Sequence, residues 1–156
     1  MIKLTRIDDR LVHGQVAFTW VPSLGADCLI VANDKAAGDE FLKMTMGLAK
    51  PPSARLFILP LQKAIALLND PKSRNLKILL LVSSVRDAFE MAEAVGEIKS
   101  VNFGGIRMKD GAKLVSKAVA VTEEDITLIN KLAEKGLELE VRQVPTDKKQ
   151  LLKDLL

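Results

Sequence analysis

The 156-residue sequence holds one cysteine, one histidine, one tryptophan and no tyrosine, and only 4% of it is aromatic. A lone cysteine, Cys28, rules out an internal disulfide and a cysteine-built zinc site. In its apolar stretch it reads as an ordinary buried thiol. Scarce aromatics and scattered basic residues offer neither a stacking platform nor a charged stripe, which argues against nucleic acid as a partner. Long apolar runs are also missing. The longest, Ile78–Val82, has strand length and falls far short of the roughly 20 residues a membrane-spanning helix needs. The start, Met1 to Arg6, alternates and then runs into acidic residues, without the apolar core of a signal peptide. The expectation is a cytoplasmic protein.

What is present is ample hydrophobic material, 48% of residues, enough at this length for one well-buried core and one domain. The balance of 23 Lys and Arg against 20 Asp and Glu leaves a formal +3, a mild attraction for phosphorylated or acidic partners. Periodicity alternates between strand-like and helix-like segments from end to end, which means an α/β fold. Strands are expected at residues 1–7, Cys28–Ala32, Arg55–Leu59, Lys77–Val82, Ile98–Phe103, around Leu114–Val121 and from Leu137 to Val144.

Between them, a helix starts near Gly14 with Trp20 packed in the core. Asn33 or Asp34 caps a long helix through Lys50, which carries an apolar stripe of Phe41, Met44, Leu48 and Ala49, and Pro51-Pro52 stops it. Helices are also expected over Leu61–Leu68, from the cap Ser84 to Gly96, from Thr122 with Asp125 to Gly136, and from Thr146 through Leu151, Leu152 and Leu155. No apolar surface stripe stands out beyond the needs of the core, so no oligomeric state is expected in particular. Short connections predict right-handed crossovers and an open, mostly parallel sheet with helices on both faces. Sites in that architecture lie beyond the carboxyl ends of strands. Gly104-Gly105 reads as a turn with positive φ.

The densest chemistry stands at the end of the first strand: Asp8-Asp9-Arg10-Leu11-Val12-His13-Gly14-Gln15. Neutral imidazole is a nucleophile near neutral pH and forms covalent intermediates. One ring nitrogen must attack while the other carries the proton, so a carboxylate from Asp8 or Asp9 accepting that N–H would fix the working tautomer. Arg10 can donate paired hydrogen bonds to phosphate oxygens, and the amides of Gly14 and Gln15 open a helix, a place suited to anions. Phosphoryl transfer needs mainly positioning and charge stabilisation, which this set supplies. A receiver-type signalling domain shares paired aspartates after its first strand but needs another aspartate after its third, where this chain has Ile58-Leu59-Pro60-Leu61. A hydrolase with His13 as general base finds no second histidine or nucleophile elbow.

Arg6 to Val16 resembles the active-site signature of the IIB subunits of the mannose/fructose/sorbose family of the phosphoenolpyruvate-dependent sugar phosphotransferase system. The similarity continues through Ile30–Asp34, Ala49–Pro52, Val101–Gly105 and Gly136–Pro145. The resemblance implies a phosphotransferase with no cofactor and no metal, phosphorylated on Nδ1 of His13. Arg10 would stabilise the phosphate, Asp8 would organise the loop or the histidine, and the Gly14 and Gln15 amides would complete the phosphate cradle. It also implies a phosphorylated IIA protein as donor, on a separate polypeptide because no IIA domain is read in this chain. The acceptor would be a sugar presented by membrane IIC and IID subunits, which choose it, so the protein would sit against the inner face of the membrane.

Overall fold

A computed structural model describes residues 1–156. Its main sheet has seven strands: β1 (Ile2–Asp8), β2 (Cys28–Ala32), β3 (Arg55–Leu59), β4 (Ile78–Val82), β5 (Ser100–Gly105), β8 (Glu138–Val141) and β9 (Gln150–Leu151), in the order β3-β2-β4-β1-β5-β8-β9. All pairings are parallel except the last, β8 with β9. Two further strands, β6 (Ala112–Ser116) and β7 (Val119–Thr122), form a separate antiparallel hairpin. The helices are α1 (Gly14–Leu24), α2 (Asp34–Ala37), α3 (Glu40–Ala49), α4 (Leu61–Asn69), α5 (Val85–Ala94) and α6 (Glu123–Glu134). The expected mostly parallel α/β sheet with helices on both faces is what forms.

Side chains on β2 and β4 are buried on both faces, as their unbroken aliphatic runs require. One face packs Val16, Ala17, Trp20 and Val21 of α1 against Leu29, Val31, Leu79 and Leu81. The other packs α4, α5 and α6 against Ile7, Ile30, Leu80 and Phe103. Each fully buried aliphatic side chain here is worth roughly 1.5–3 kcal/mol, several times any single helix propensity. Cys28 lies in this core, and burial pushes its thiol up to about 11.

Helix starts follow the expected caps. Asn33 accepts from the Ala36 amide (2.8 Å) and Ser84 from the Asp87 amide (3.1 Å). Thr122 and Asp125 exchange bonds as a capping box, which opens α6. Asp34 caps a different helix, its Oδ1 accepting from Leu61 at the start of α4 (2.8 Å). Lys50, extended before Pro51, ends α3.

Five expectations are corrected. The long helix from Asn33 to Lys50 is two helices, because Gly38 ends α2 and Asp39 caps α3 by accepting from Leu42 (3.1 Å). The stripe Phe41, Met44 and Leu48 then faces outward at 69%, 58% and 82% exposure, so an apolar surface stripe does exist, and Met46 supplies the buried contact of α3. The strand at Leu114–Val121 is a hairpin, turned where the Ser116 hydroxyl accepts from the Ala118 amide (3.4 Å). The terminal helix does not form. Asp147 Oδ2 accepts from the Gln143 and Val144 amides (3.1 and 3.2 Å) and folds the chain back, so that Gln150–Leu151 pairs with the edge of β8 and a 3₁₀ turn, Leu152–Asp154, buries Leu152. The same turn shortens the strand expected to reach Val144.

Candidate active site

β1 ends at the centre of the sheet, with β4 on one side and β5 on the other. Its following chain leaves to the α1 face, whereas β4 feeds α5 on the opposite face. The loops therefore diverge and open a crevice beyond the carboxyl ends of the strands, the usual place for a site in an open α/β sheet. The loop Asp8–His13 forms one wall. Asp9, Ser83, Ser84, Ile106, Arg107 and Lys109 line an adjoining polar cleft of about 390 Å³.

Within the loop, Asp8 is the organiser. Its Oδ1 accepts from the Arg10 amide (3.1 Å), and its Oδ2 accepts from Arg6 Nη2 (3.1 Å) and faces His13 Nε2 (3.1 Å). The loop is held open by Leu11, which takes φ 57°. A left-handed leucine costs about 1–2 kcal/mol, and it persists here because Leu11 and Val12 are buried beside α1 and the Leu11 amide donates to the Asp8 carbonyl (2.9 Å). Asp9 turns the other way, accepting from the Arg107 backbone amide (2.9 Å) and Arg107 Nε (3.2 Å). The two aspartates thus separate: Asp8 faces the histidine and Asp9 ties the loop to the chain after β5.

His13 is the N-cap residue of α1, in extended conformation, and its side chain makes no capping bond. The ring is instead turned to Asp8, 19% exposed. With Nε2 engaged by the carboxylate, Nδ1 is the nitrogen left for chemistry. The first amides of a helix lack intrahelical acceptors, and those of Gly14 and Gln15 stand at the exposed start of α1. Arg10 is half exposed, its Nε 3.6 Å from Asp8 Oδ1, a loose ion pair that leaves the guanidinium able to turn toward an anion. His13, Asp8, Arg10, Gly14 and Gln15 are therefore brought together.

Other residues enter the site that sequence reasoning did not assign to it. Arg6 is 2% exposed and donates Nη1 to Asn102 Oδ1 (2.8 Å) and to the Arg142 carbonyl (3.0 Å). Asn102 in turn donates to Glu140 Oε1 (2.9 Å), which pairs with Arg142 (3.0 Å). The guanidinium carbons of Arg6 and Arg142 lie 5.4 and 5.2 Å from the centre of the Trp20 ring, whose Nε1 donates to the Gln143 carbonyl (3.0 Å). A signal was available: Leu4, Arg6 and Asp8 alternate on one face of β1, so an arginine in that row points inward.

Gly104-Gly105 does not form the expected turn. Both residues belong to β5, without positive φ. A Cβ on Gly104 would overlap the Arg6 guanidinium, whereas one on Gly105 would meet Asp8 at an ordinary 3.5 Å. Close approach, not backbone conformation, requires the first glycine. Ser84 caps α5, and Ser83 accepts from Asn33 Nδ2 (2.9 Å) and donates to Asp87 Oδ2 (3.4 Å).

The charges in the pocket are mutually adjusted. Burial alone would raise Asp8, but the hydrogen bonds from His13 and the Arg10 amide and the charge of Arg6 outweigh it and hold the carboxyl below its ordinary range. Burial lowers Arg6, partly offset by Asp8.

The family model described as PTS system sorbose subfamily IIB component matches residues 2–156. The chain belongs to this family of phosphotransferase-system IIB components. The mannose-specific EIIAB component of Escherichia coli (strain K12) is 38% identical over 156 residues, covering all of this chain and 48% of that protein. The chain thus spans about half the length of those EIIAB relatives. The sorbose-specific EIIB component of Lacticaseibacillus casei is 33% identical over 147 residues, 94% of this chain and 90% of the relative. Among solved structures, the IIBSor domain of the sorbose permease from Klebsiella pneumoniae superposes with a TM-score of 0.94 at 31% identity, covering 99% of this chain and 95% of that one. The IIB fold accounts for the position of the crevice. No helix of this family member is long and apolar enough to cross a membrane.

Proposed function

We propose that this IIB component is a phosphotransferase that carries a phosphoryl group on Nδ1 of His13, received from a phosphorylated IIA protein and passed to a sugar held by membrane IIC and IID subunits. It would do so from the cytoplasmic side, docked peripherally on those subunits. The observation that carries this reading is the 3.1 Å approach of His13 Nε2 to Asp8 Oδ2, which leaves Nδ1 as the ring nitrogen that the carboxylate does not engage. In the first step Nδ1 attacks phosphorus, an N–P bond forms, and the donor imidazole leaves with the electrons of its own N–P bond. Arg10 neutralises charge on the phosphoryl oxygens, and the Gly14 and Gln15 amides receive them at the positive end of α1. In the second step a sugar hydroxyl attacks phosphorus, an O–P bond forms, the His13 imidazole leaves with the electrons of the N–P bond, and the hydroxyl proton passes to solvent. Asp8 holds the Nε2 proton in place throughout, so the ring leaves as a neutral group.

The test incubates the protein with phosphoenolpyruvate, the general phosphotransferase proteins and an active IIA protein, followed by intact-mass measurement. One acid-labile phosphoryl group on the parent and none on His13→Ala is the expected result. No gain on the parent overturns the proposal.

A further inference from the structure

A carboxylate that orients a histidine also attracts a second proton to it, and an imidazolium has no lone pair at Nδ1 with which to attack. Asp8, with no solvent exposure, would exert that pull strongly. The charged groups around the pair are few. Asp9 is bound to Arg107, and Glu140 to Arg142, so each of those pairs is compensated internally. Helix α1 brings no acidic residue in its first turn. Arg10 is 52% exposed and its charge is screened by solvent. Of the cations, Arg6 alone is buried, 3.1 Å from the same oxygen that faces His13, and fixed by Asn102, the Arg142 carbonyl and the Trp20 ring. Its Nε, buried, has no protein hydrogen-bond partner.

We propose that Arg6, seated over Gly104, is a positioning residue that cancels the buried charge of Asp8, so that Asp8 orients His13 through Nε2 without drawing a second proton onto the ring. This deepens the phosphocarrier reading, since it explains how a histidine hydrogen-bonded to a buried carboxylate stays a neutral nucleophile. Gly104 is part of the device, because any side chain there displaces the guanidinium.

His13 is the chain's only histidine, so its ring titrates in an ¹⁵N NMR spectrum without competing signals. The experiment compares unphosphorylated parent, Arg6→Met, Arg6→Lys and Gly104→Ala, with circular dichroism as the check on folding. In Arg6→Met the midpoint rises by roughly one pH unit, a tenfold gain in proton affinity. Gly104→Ala moves it the same way by less, and Arg6→Lys returns it toward the parent. Phosphoryl acceptance by Arg6→Met falls near neutrality by a factor below the tenfold limit that a one-unit shift sets, and recovers in alkali as the ring deprotonates, a recovery that loss of packing would not produce. An unchanged or lowered midpoint in folded Arg6→Met overturns the inference. Should that variant not fold, an unchanged midpoint in Gly104→Ala does the same. The titration uses no phosphodonor. A parent that never accepts phosphate, beside an Arg6→Met that titrates upward, would remove the nucleophile reading and keep the charge-cancelling role.

Discussion

One row of side chains crosses the sheet through Arg6, and its two halves are opposites. Toward one edge the partners in register are Leu81, Val31 and Ile58; toward the other they are Asn102 and Glu140. The pairings that join these residues are parallel in both halves. The difference lies in what covers them. Helix α1 lays Val16, Ala17 and Val21 on the apolar half. The polar half lies under the chain after β8, where Arg142 and Gln143 supply carbonyls to Arg6 and Trp20. An apolar half-row under a helix gives rigidity by exclusion of water; a polar half-row under irregular backbone needs each group matched, and through Arg6 and Asp8 it reaches His13. One half holds the fold, and the other tunes a charge.

Substitutions that exchange the two characters should separate these roles. The largest effect is expected for Leu81→Asn, which removes a fully buried aliphatic and strands an amide among aliphatics, a loss of about 4 kcal/mol in urea unfolding. A value near zero would mean that the core tolerates polarity and would dissolve the contrast. Asn102→Leu is the reciprocal change. It leaves Arg6 Nη1 with only the Arg142 carbonyl and strips Glu140 of a donor, so a loss of about 2 kcal/mol is expected, with slower phosphoryl acceptance at His13.

Adjacent glycines sharpen the comparison further. Gly104→Ala must move the buried guanidinium and should cost about 1–2 kcal/mol, while Gly105→Ala, whose new Cβ meets only ordinary contacts, should change the unfolding midpoint little. Equal effects would remove the close approach of Arg6 as the reason for a glycine.

The acid limb of stability tests the site carboxylate. Asp8 is held below its ordinary range when folded, so the unfolded chain binds the proton first as pH falls. Its contribution is full above the unfolded value of about 3.9 and is lost as pH drops through the lower folded value. Asp8→Asn should flatten that part of the curve, measured by thermal unfolding from neutral to strongly acid pH. The smallest effect is expected for Leu48→Gln on the exposed face of α3, within about 0.5 kcal/mol. A larger loss would show that the stripe Phe41, Met44 and Leu48 has a packing role.

Much of this was legible in one dimension because it depends on neighbours in sequence. The aliphatic runs of β2 and β4, the caps Asn33, Ser84 and Thr122, and the loop from Asp8 to His13 are each local patterns, and each forms where expected. The failures share the opposite property. Phe41, Met44 and Leu48 have helical spacing, but whether such a stripe meets the core depends on where Gly38 and Asp39 break the helix, and Met46 took the inward position instead. The last helix lost to the edge of β8, a competitor that exists only once the sheet is assembled.

The site divides in the same way. By sequence alone, His13, Asp8, Arg10 and the start of α1 stand within a few residues of one another, so chain connectivity brings them together. Only tertiary structure decided which carboxylate faces the ring, since Asp8 and Asp9 differ by the direction of one strand step, and the chain after β5 claims Asp9 through Arg107. Arg6, Gly104, Asn102 and Glu140 meet across three parallel strands, up to 136 residues apart along the chain where Arg6 reaches the Arg142 carbonyl. A local pattern records what a segment can do; the register of a parallel sheet, set by crossovers far away in sequence, records which segments will touch.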